Sequence, residues 1–220
     1  MTFRMWERWG PSAGVLAVVC WIVTFIVGTN GPDTNSSDAK ISAYYTSHSH
    51  QIRDIVGFFI FLAGILFLLG FLAALRSRLV VAEGTPGRLT ALAFGSGVAS
   101  AILFVIAFAM FTAAAFTAND TGKFRLDPNT FRLVNDLGYV VWVGAVIVAA
   151  LLVWATSAIA LRSGLLPKWF AWLGVLAGIL QLLAIFFVPV FIFWGWILIT
   201  SLLLVFRSAT ARTPAVPTAT

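Results

Sequence analysis

Two histidines lie close together in the first quarter of the chain, beside an aspartate and two tyrosines. Residues 42–54 read Ser-Ala-Tyr-Tyr-Thr-Ser-His-Ser-His-Gln-Ile-Arg-Asp, and a long apolar stretch follows directly. His50 and Asp54 are one helical turn apart, as are Tyr44 and His48, so each pair shares one face of a helix. Such groups could act as a general base with its partner, ligate a metal ion or sense pH.

The same residues are too few and too awkwardly spaced for a metal site. His48 and His50 differ by two positions and cannot lie on one helix face. A catalytic metal usually takes three protein ligands, and the chain has no third histidine, so Asp136 would have to complete the set. Polar residues beside a surface helix are the favoured interpretation. We therefore predict no metal, no cofactor and no catalytic residue.

Asp136 is predicted to be the counterpart of Asp54, because each opens an apolar stretch at the same end of the predicted bundle. An ionisable group at the edge of the hydrocarbon is costly unless it is paired or hydrated, which makes both carboxylates functional candidates. The alternative is that each caps a helix start and pairs with Arg53 or Arg132. The capping role is favoured because neither residue is deep.

The composition predicts an integral membrane protein. Hydrophobic residues make up 60% of the chain and charged residues 10%, whereas soluble domains carry about 25% charged residues. The net charge of +6 comes from basic residues dispersed among loop ends, which argues against nucleic acid as a partner and favours membrane lipid. We expect one membrane domain, 1–208, and a disordered cytoplasmic tail, 209–220.

Six stretches are long enough for a bilayer core, which needs about 20 helical residues. A turn is expected at Val188-Pro189, since proline disfavours helix at the residue before it. The first stretch is interpreted as a retained helix rather than a cleaved signal. The fold class predicted is an all-α polytopic transmembrane bundle of six spans, at about 11–28, 55–75, 89–116, 133–161, 169–188 and 190–206.

The basic residues predict cytoplasmic N- and C-termini in a multi-pass protein of the plasma membrane. With that orientation nine of the 14 basic residues lie inside and five lie outside. The first external loop, 29–54, repeats apolar residues at helical spacing after Ser36 and Ser37. We predict a short amphipathic helix there.

Inside the spans, Gln181 is the one strongly polar side chain near the middle. The absence of buried acidic or basic residues argues against an ion-coupled transporter or pump. Tyr139 and Trp142 fall near the outer end of the fourth span, where aromatic residues form an interfacial belt or line a pocket. The small-residue pairs Gly174/Gly178 and Gly95/Ala99 allow close helix approach, within the chain or in a homo-oligomer.

The chain resembles bacterial six-helix membrane proteins that are grouped as domains of unknown function. The resemblance rests on Ile-Ser-Ala-Tyr-Tyr, Arg-Asp, and Phe-Leu-Ala-Ala-Leu-Arg-Ser-Arg-Leu in the first half, and on Gly-Leu-Leu-Pro-Lys-Trp-Phe-Ala-Trp-Leu-Gly in the second. It implies a six-helix bundle in a bacterial inner membrane. No activity and no functional residue come with it.

Three functions are compatible with these features. The first is a non-enzymatic protein that binds a small amphiphile, a lipid or a partner protein in an outward-facing pocket. A membrane-embedded enzyme that uses His48, His50, Asp54 and Asp136 is the alternative, and a small-molecule transporter is the third. The candidate ligand-binding residues gather at one membrane face, with one more in the fifth span: Tyr44, His48, His50, Asp54, Asp136, Tyr139, Trp142 and Gln181.

Overall fold

The computed structural model describes residues 10–28, 31–121 and 123–210. Seven α-helices and two short 3-10 turns, Gly10–Ser12 and Ala184–Phe186, account for most of these residues. The helices are α1 (Ala13–Gly28), α2 (Asp38–Thr46), α3 (His48–Glu83), α4 (Arg88–Asp120), α5 (Pro128–Ser163), α6 (Lys168–Gln181) and α7 (Pro189–Thr210). The all-α prediction is confirmed for the described part of the chain.

Five of the helical segments are long and apolar enough to cross a membrane: Gly10–Gly28, α3, α4, α5 and Pro189–Phe206. Between 33% and 50% of each apolar window is buried inside the protein. The rest of each window faces outward, so these helices present large apolar surfaces that water would not solvate. A hydrocarbon environment solvates such a surface, so the architecture is that of a membrane protein.

The bundle is held together by extensive helix–helix contacts, some of them between helices that are distant in the chain. Helix α4 packs most extensively on α5, α1 packs on α3, and α7 closes the bundle between α1 and α6. Buried hydroxyls add a few polar links across these contacts. Ser100 Oγ donates to the carbonyl oxygen of Ala145 at 2.8 Å, and Ser201 Oγ donates to the carbonyl oxygen of Pro11.

The predicted fifth span, 169–188, is not one continuous helix in the structure. Helix α6 has 14 residues and ends at Gln181, which makes it about 21 Å long, against a hydrocarbon core of about 30 Å. Pro189 begins α7, as expected for a residue whose fixed φ suits the first helical position. Proline restricts only itself and the residue before it. It therefore sets the start of α7 and leaves the end of α6 undetermined.

The helices of four other predicted spans continue beyond the bounds of those spans. Helix α3 starts at His48 and ends at Glu83, while the prediction covered 55–75. Backbone hydrogen bonds do not require an apolar environment, so a helix can extend through its polar ends. Helices α4 and α5 extend in the same way. Helix α7 continues to Thr210, and the rest of the predicted tail lies outside the described residues.

Helix α2 lies in the loop predicted to be external and covers one end of the bundle, called here the α2 end. Ser37 caps it by accepting a hydrogen bond from the backbone N–H of Lys40. Ile41 and Tyr45 are buried against Phe131 of α5 and its neighbours.

Arg132 of α5 anchors the segment that precedes α2 through hydrogen bonds. Its guanidinium donates to the carbonyl oxygens of Thr34 and Ser36 at 3.0 and 2.9 Å. It also donates to the carboxylate of Asp38 at 2.7 Å. These bonds fix α2 over the ends of α3, α4 and α5.

Candidate functional site

A cavity of about 270 Å³ lies beneath α2, between α1, α3, α4, α5 and the start of α7. Its deep part is aromatic, and its mouth is polar. The lining residues are Trp21, Thr24, Phe25, Val27, Gly28, Gly31, Pro32, Tyr45, Arg53, Asp54, Gly57, Phe61, Phe108, Phe111, Thr112, Phe131, Asn135, Trp142, Phe187 and Trp194.

The aromatic part of the cavity is built from rings that hold one another in place. Phe61 of α3 stacks on Phe108 of α4 with centroids 4.1 Å apart. Trp142 of α5 meets Phe104 edge-on at 4.8 Å and stacks on Phe187 at 5.9 Å. Such pairs are stabilised beyond simple apolar contact, so the wall is rigid and suited to an apolar group.

The mouth carries a compact network of three polar side chains. The Tyr44 hydroxyl donates to Asp54 Oδ1 at 3.0 Å and accepts from Arg53 Nη2 at 2.6 Å. Arg53 Nε lies 4.0 Å from Asp54 Oδ1. The Arg53 and Asp54 side chains keep 29% and 15% of their surface exposed, so the mouth can be reached from outside.

His50 supports this network by packing against Tyr44. Its ring stacks on the Tyr44 ring with centroids 4.4 Å apart and planes within 17°. Its Nδ1 lies 3.2 Å from the Tyr44 carbonyl oxygen. His50 does not line the cavity, and its role here is to hold Tyr44 against Arg53 and Asp54.

Two of the predicted site residues line the cavity, Asp54 and Trp142. Tyr44 contacts Asp54 through its hydroxyl, although its neighbour Tyr45 forms the cavity wall. His48 is exposed at the start of α3. The cavity therefore brings together Asp54, near the start of α3, and Trp142, in the middle of α5. His48 lies outside the cavity.

The other predicted residues lie elsewhere. Asp136 is exposed, and the preceding Asn135 takes a place in the cavity wall. Tyr139 donates its hydroxyl to the carbonyl oxygen of Ile185 and supports the turn before α7. Gln181 is fully buried outside the cavity, and its amide atoms have no hydrogen-bond partner among the described residues.

The geometry does not assemble the predicted catalytic cluster. His50 and Asp136 are both absent from the wall that holds Asp54. Within residues 10–28, 31–121 and 123–210, no three His, Cys, Asp or Glu side chains are close enough to hold a metal ion.

Most of the wall consists of apolar residues that the sequence argument did not single out. The helical spacing of the aromatic residues in the sequence is a pattern that indicates part of this wall. Phe104, Phe108 and Phe111 recur every three or four positions on α4, as do Trp21 and Phe25 on α1. This spacing places each set on one helix face, and both faces meet at the cavity.

The phenols at the α2 end give a test of this geometry by pH. Burial raises the pKa of Tyr45, and the Asp54 carboxylate adds to the rise. Burial also raises the pKa of Tyr44, although the hydrogen bond from Arg53 opposes it. A folded-state pKa above the unfolded value contributes stability that is complete below about pH 10 and is lost as pH rises through the folded-state pKa.

We expect Tyr44 and Tyr45 to ionise with pKa values above the ordinary range in an absorbance titration of tyrosinate. Tyr44→Phe and Tyr45→Phe should each remove one of the high-pH steps. Stability measured in parallel should fall over the same pH range. Ionisation of both phenols near pH 10 (about the free value) would contradict the burial of α2 on the bundle.

Comparison with known proteins identifies one family. The family model described as Domain of unknown function (DUF4386) matches residues 12–212. No curated protein matches the chain, and no solved structure matches it. The match covers all seven helices almost completely.

Proposed function

The chain belongs to the DUF4386 family, a domain of unknown function, and from the geometry of its cavity we propose that it binds a small amphiphile or lipid within the membrane. The observation that carries the proposal is the division of one cavity into an aromatic wall and a polar mouth. A molecule with an apolar body and a polar head would satisfy both parts at once.

The cavity size limits the ligand to one chain or one small ring system. Its volume of about 270 Å³ is roughly twice that of an engineered 150 Å³ cavity that holds benzene. A methylene group is similar in volume to water at about 30 Å³, so about nine such groups would fill the cavity. A complete two-chain phospholipid could place only part of itself there.

The same proposal gives the protein six membrane crossings. Helix α6 would be the sixth, completed by residues 182–188. It is supported by exposed apolar residues that recur on one face of α6 at helical spacing, including Trp169, Trp172, Leu176 and Ile179. Such a face is suited to lipid rather than to water.

The distribution of Lys and Arg supports cytoplasmic termini in a plasma membrane. The cavity would then open at the outer face, under α2. A ligand would enter between α2 and the loop residues Gly31 and Pro32, both of which line the mouth. Lipid would be the surrounding partner as well as a possible source of the ligand.

A cavity-filling substitution tests the proposal. Gly57 lines the cavity, and a Cβ added there would lie 3.7 Å from Val27 Cγ1, an ordinary contact distance. Gly57→Leu should therefore fold and place its side chain in the ligand space. The matched control is Gly144→Leu, since a Cβ at Gly144 meets nothing within 4 Å and Gly144 does not line the cavity.

The probe is ω-bromohexanol, which is short enough for the cavity, added to the protein in lipid nanodiscs with tryptophan fluorescence as the signal. Bromine quenches tryptophan on contact, and Trp21, Trp142 and Trp194 line the cavity. We expect saturable quenching in the wild type and in Gly144→Leu, and a loss of at least about ten-fold in affinity in Gly57→Leu. Gly57→Ala should be intermediate. Quenching that rises without saturation in every variant would refute a bound ligand.

A further inference from the structure

The end of the bundle opposite α2, called here the basic end, carries an excess of basic side chains. It is formed by the ends of α3 and α5 and by the starts of α4 and α6. Among its described side chains Glu83 is the one acid, and the basic ones are Arg76, Arg78, Arg88, Arg162 and Lys168. Five basic groups and one acid give this end a net charge of +4. The described side chains of the α2 end, with six aspartates and five basic residues, are nearly balanced.

Glu83 does little to neutralise the basic end, because its carboxylate is bonded to the start of α4. Its Oε1 accepts from the backbone N–H of Leu89 at 2.8 Å. Its Oε2 accepts from the backbone N–H and the hydroxyl of Thr90 at 2.7 and 2.6 Å. Glu83 also interacts electrostatically with Arg162. Within the described part of the chain, Arg76 and Arg88 form no salt bridge, so their charges are open to a partner.

The basic side chains cover the depth at which lipid phosphates lie. Arg76 directly follows the apolar stretch that ends at Leu75, which places it at the boundary of the hydrocarbon. Helix α3 continues for seven residues to Glu83, a rise of about 10 Å. Arg88 and Arg162 lie at that outer level, beside Glu83. The head-group layer is about 5–8 Å thick on each side of a bilayer, so it fits between Arg76 and the outer basic residues.

Phe94 of α4 holds the Arg76 side chain in place. The guanidinium carbon of Arg76 lies over the Phe94 ring, 5.5 Å from its centroid. A cation in this position is attracted by the ring. The N–H donors of a guanidinium lie in its own plane and suit the oxygens of a phosphate. Arg76 is exposed, so it presents an oriented phosphate-binding group to the surrounding lipid.

We propose that the basic end binds the head groups of anionic phospholipids, and that Arg76 donates to the phosphate of one of them. A net negative head is attracted by the charge of +4, whereas the ammonium of a zwitterionic head is repelled by it. A soluble protein or a nucleic acid could reach the outer basic residues but not Arg76, because head groups cover that depth. The inference goes beyond amphiphile binding in the cavity and uses different residues.

The test is a lipid titration of the full chain, followed by native mass spectrometry from detergent micelles. The probes are dioleoyl phosphatidylglycerol and dioleoyl phosphatidylcholine, which have the same acyl chains. One basic residue near a charged membrane surface contributes about five-fold in affinity. We therefore expect the phosphatidylglycerol to bind at least about ten-fold more tightly, and we expect this preference to decline as the salt concentration rises.

Matched variants assign the preference to Arg76. Arg76→Gln should lower it about five-fold and leave the affinity for phosphatidylcholine unchanged. Arg125→Gln is the control, since Arg125 is exposed at the α2 end and forms no salt bridge within the described part of the chain. Phe94→Leu keeps Arg76 but removes the ring beneath it, which should lower the preference about two- to five-fold. Phe94→Tyr keeps a ring and should retain the preference.

Each outcome decides one part of the proposal. Equal affinity of the wild type for the two lipids would overturn it entirely. A preference that survives Arg76→Gln would overturn the contact between Arg76 and the phosphate. An equal loss in Arg125→Gln would overturn the assignment to the basic end. Inorganic phosphate at constant ionic strength should not displace phosphatidylglycerol, and displacement would overturn the lipid as the source of the phosphate group.

Discussion

Replacement of Gly178 by leucine is expected to stop α6 from packing on α5 and to leave little folded protein. A Cβ placed at Gly178 would fall on the indole ring of Trp154. That ring cannot move freely, because Trp154 Nε1 donates to the carbonyl oxygen of Val175 at 3.0 Å. Overpacking of this kind costs about 1–3 kcal/mol and sometimes more, and the collision here involves a whole ring.

The comparison that isolates the packing effect is Gly95→Leu on α4. A Cβ at Gly95 meets nothing within 4 Å, and the residue is exposed on the surface of the bundle. Yield of monodisperse protein and the midpoint of thermal unfolding should be close to wild type for Gly95→Leu and sharply reduced for Gly178→Leu. A Gly178→Leu protein as stable as Gly95→Leu would mean that α6 does not contact Trp154.

A second-site change makes the expectation more specific. Trp154→Ala removes the ring that the leucine would strike, so Gly178→Leu should be much less damaging in that background. The two changes should therefore show a favourable coupling energy of about 0.5–3 kcal/mol in a double-mutant cycle. Strict additivity would contradict direct contact between the two positions.

The close approach at Gly178 also bears on self-association. Gly174 packs toward Ser157 in the same manner, so the Gly174/Gly178 face is occupied by α5 of the same chain. The Gly95/Ala99 face of α4 is exposed. A homo-oligomer through the small residues of this chain remains a prediction, and of the two predicted faces only that on α4 is open to a partner.

The number and type of the long helices follow from the sequence because they depend on long apolar stretches. Hydropathy does not predict where the helices end, because helix ends depend on caps and local turns. Helix α6 ends at Gln181, and the segment between it and α7 includes Phe187, a non-glycine residue with a φ of 62°. The Phe187 ring stacks on Trp142. This is a tertiary contact that local sequence patterns do not predict.

The site was predictable in location but only partly in its residues. Asp54 could be placed at the mouth because it directly precedes the apolar stretch of α3 and has polar neighbours. Asn135 and Asp136 differ by one position, yet only Asn135 lines the cavity. Successive residues on a helix point about 100° apart. The rotation of α5 about its axis, which comes from packing on α4, therefore decides which of the two side chains faces the ligand space.

Trp142 contributes both to the stability of the bundle and to the wall of the proposed binding site. It is 5% exposed, lies at the meeting point of α3, α4 and α5, and contacts the rings of Phe61, Phe104 and Phe187. Trp142→Ala should destabilise the protein by about 3 kcal/mol, the lower end of the range for loss of a buried tryptophan. The lower end applies because packing rather than exclusion of water drives helix association in lipid.

The same substitution should enlarge the cavity and change what it binds. An apolar void can be filled by a ligand of matching shape, and occupancy then stabilises the folded state according to ligand concentration and affinity. Indole should therefore restore part of the stability of Trp142→Ala, and it should stabilise this variant more than it stabilises the wild type. Unfolding by SDS in mixed micelles, followed with and without indole, measures both effects.

Trp169→Ala is the matched control for the loss of a tryptophan. Trp169 is 59% exposed on α6 and does not line the cavity, so the change should cost little and should respond to indole no more than the wild type does. Rescue of Trp142→Ala alone would place the ligand space beside Trp142. A large loss of stability without rescue would instead mean that the wall collapses into the space, and equal costs for both variants would contradict the aromatic core between α3, α4 and α5.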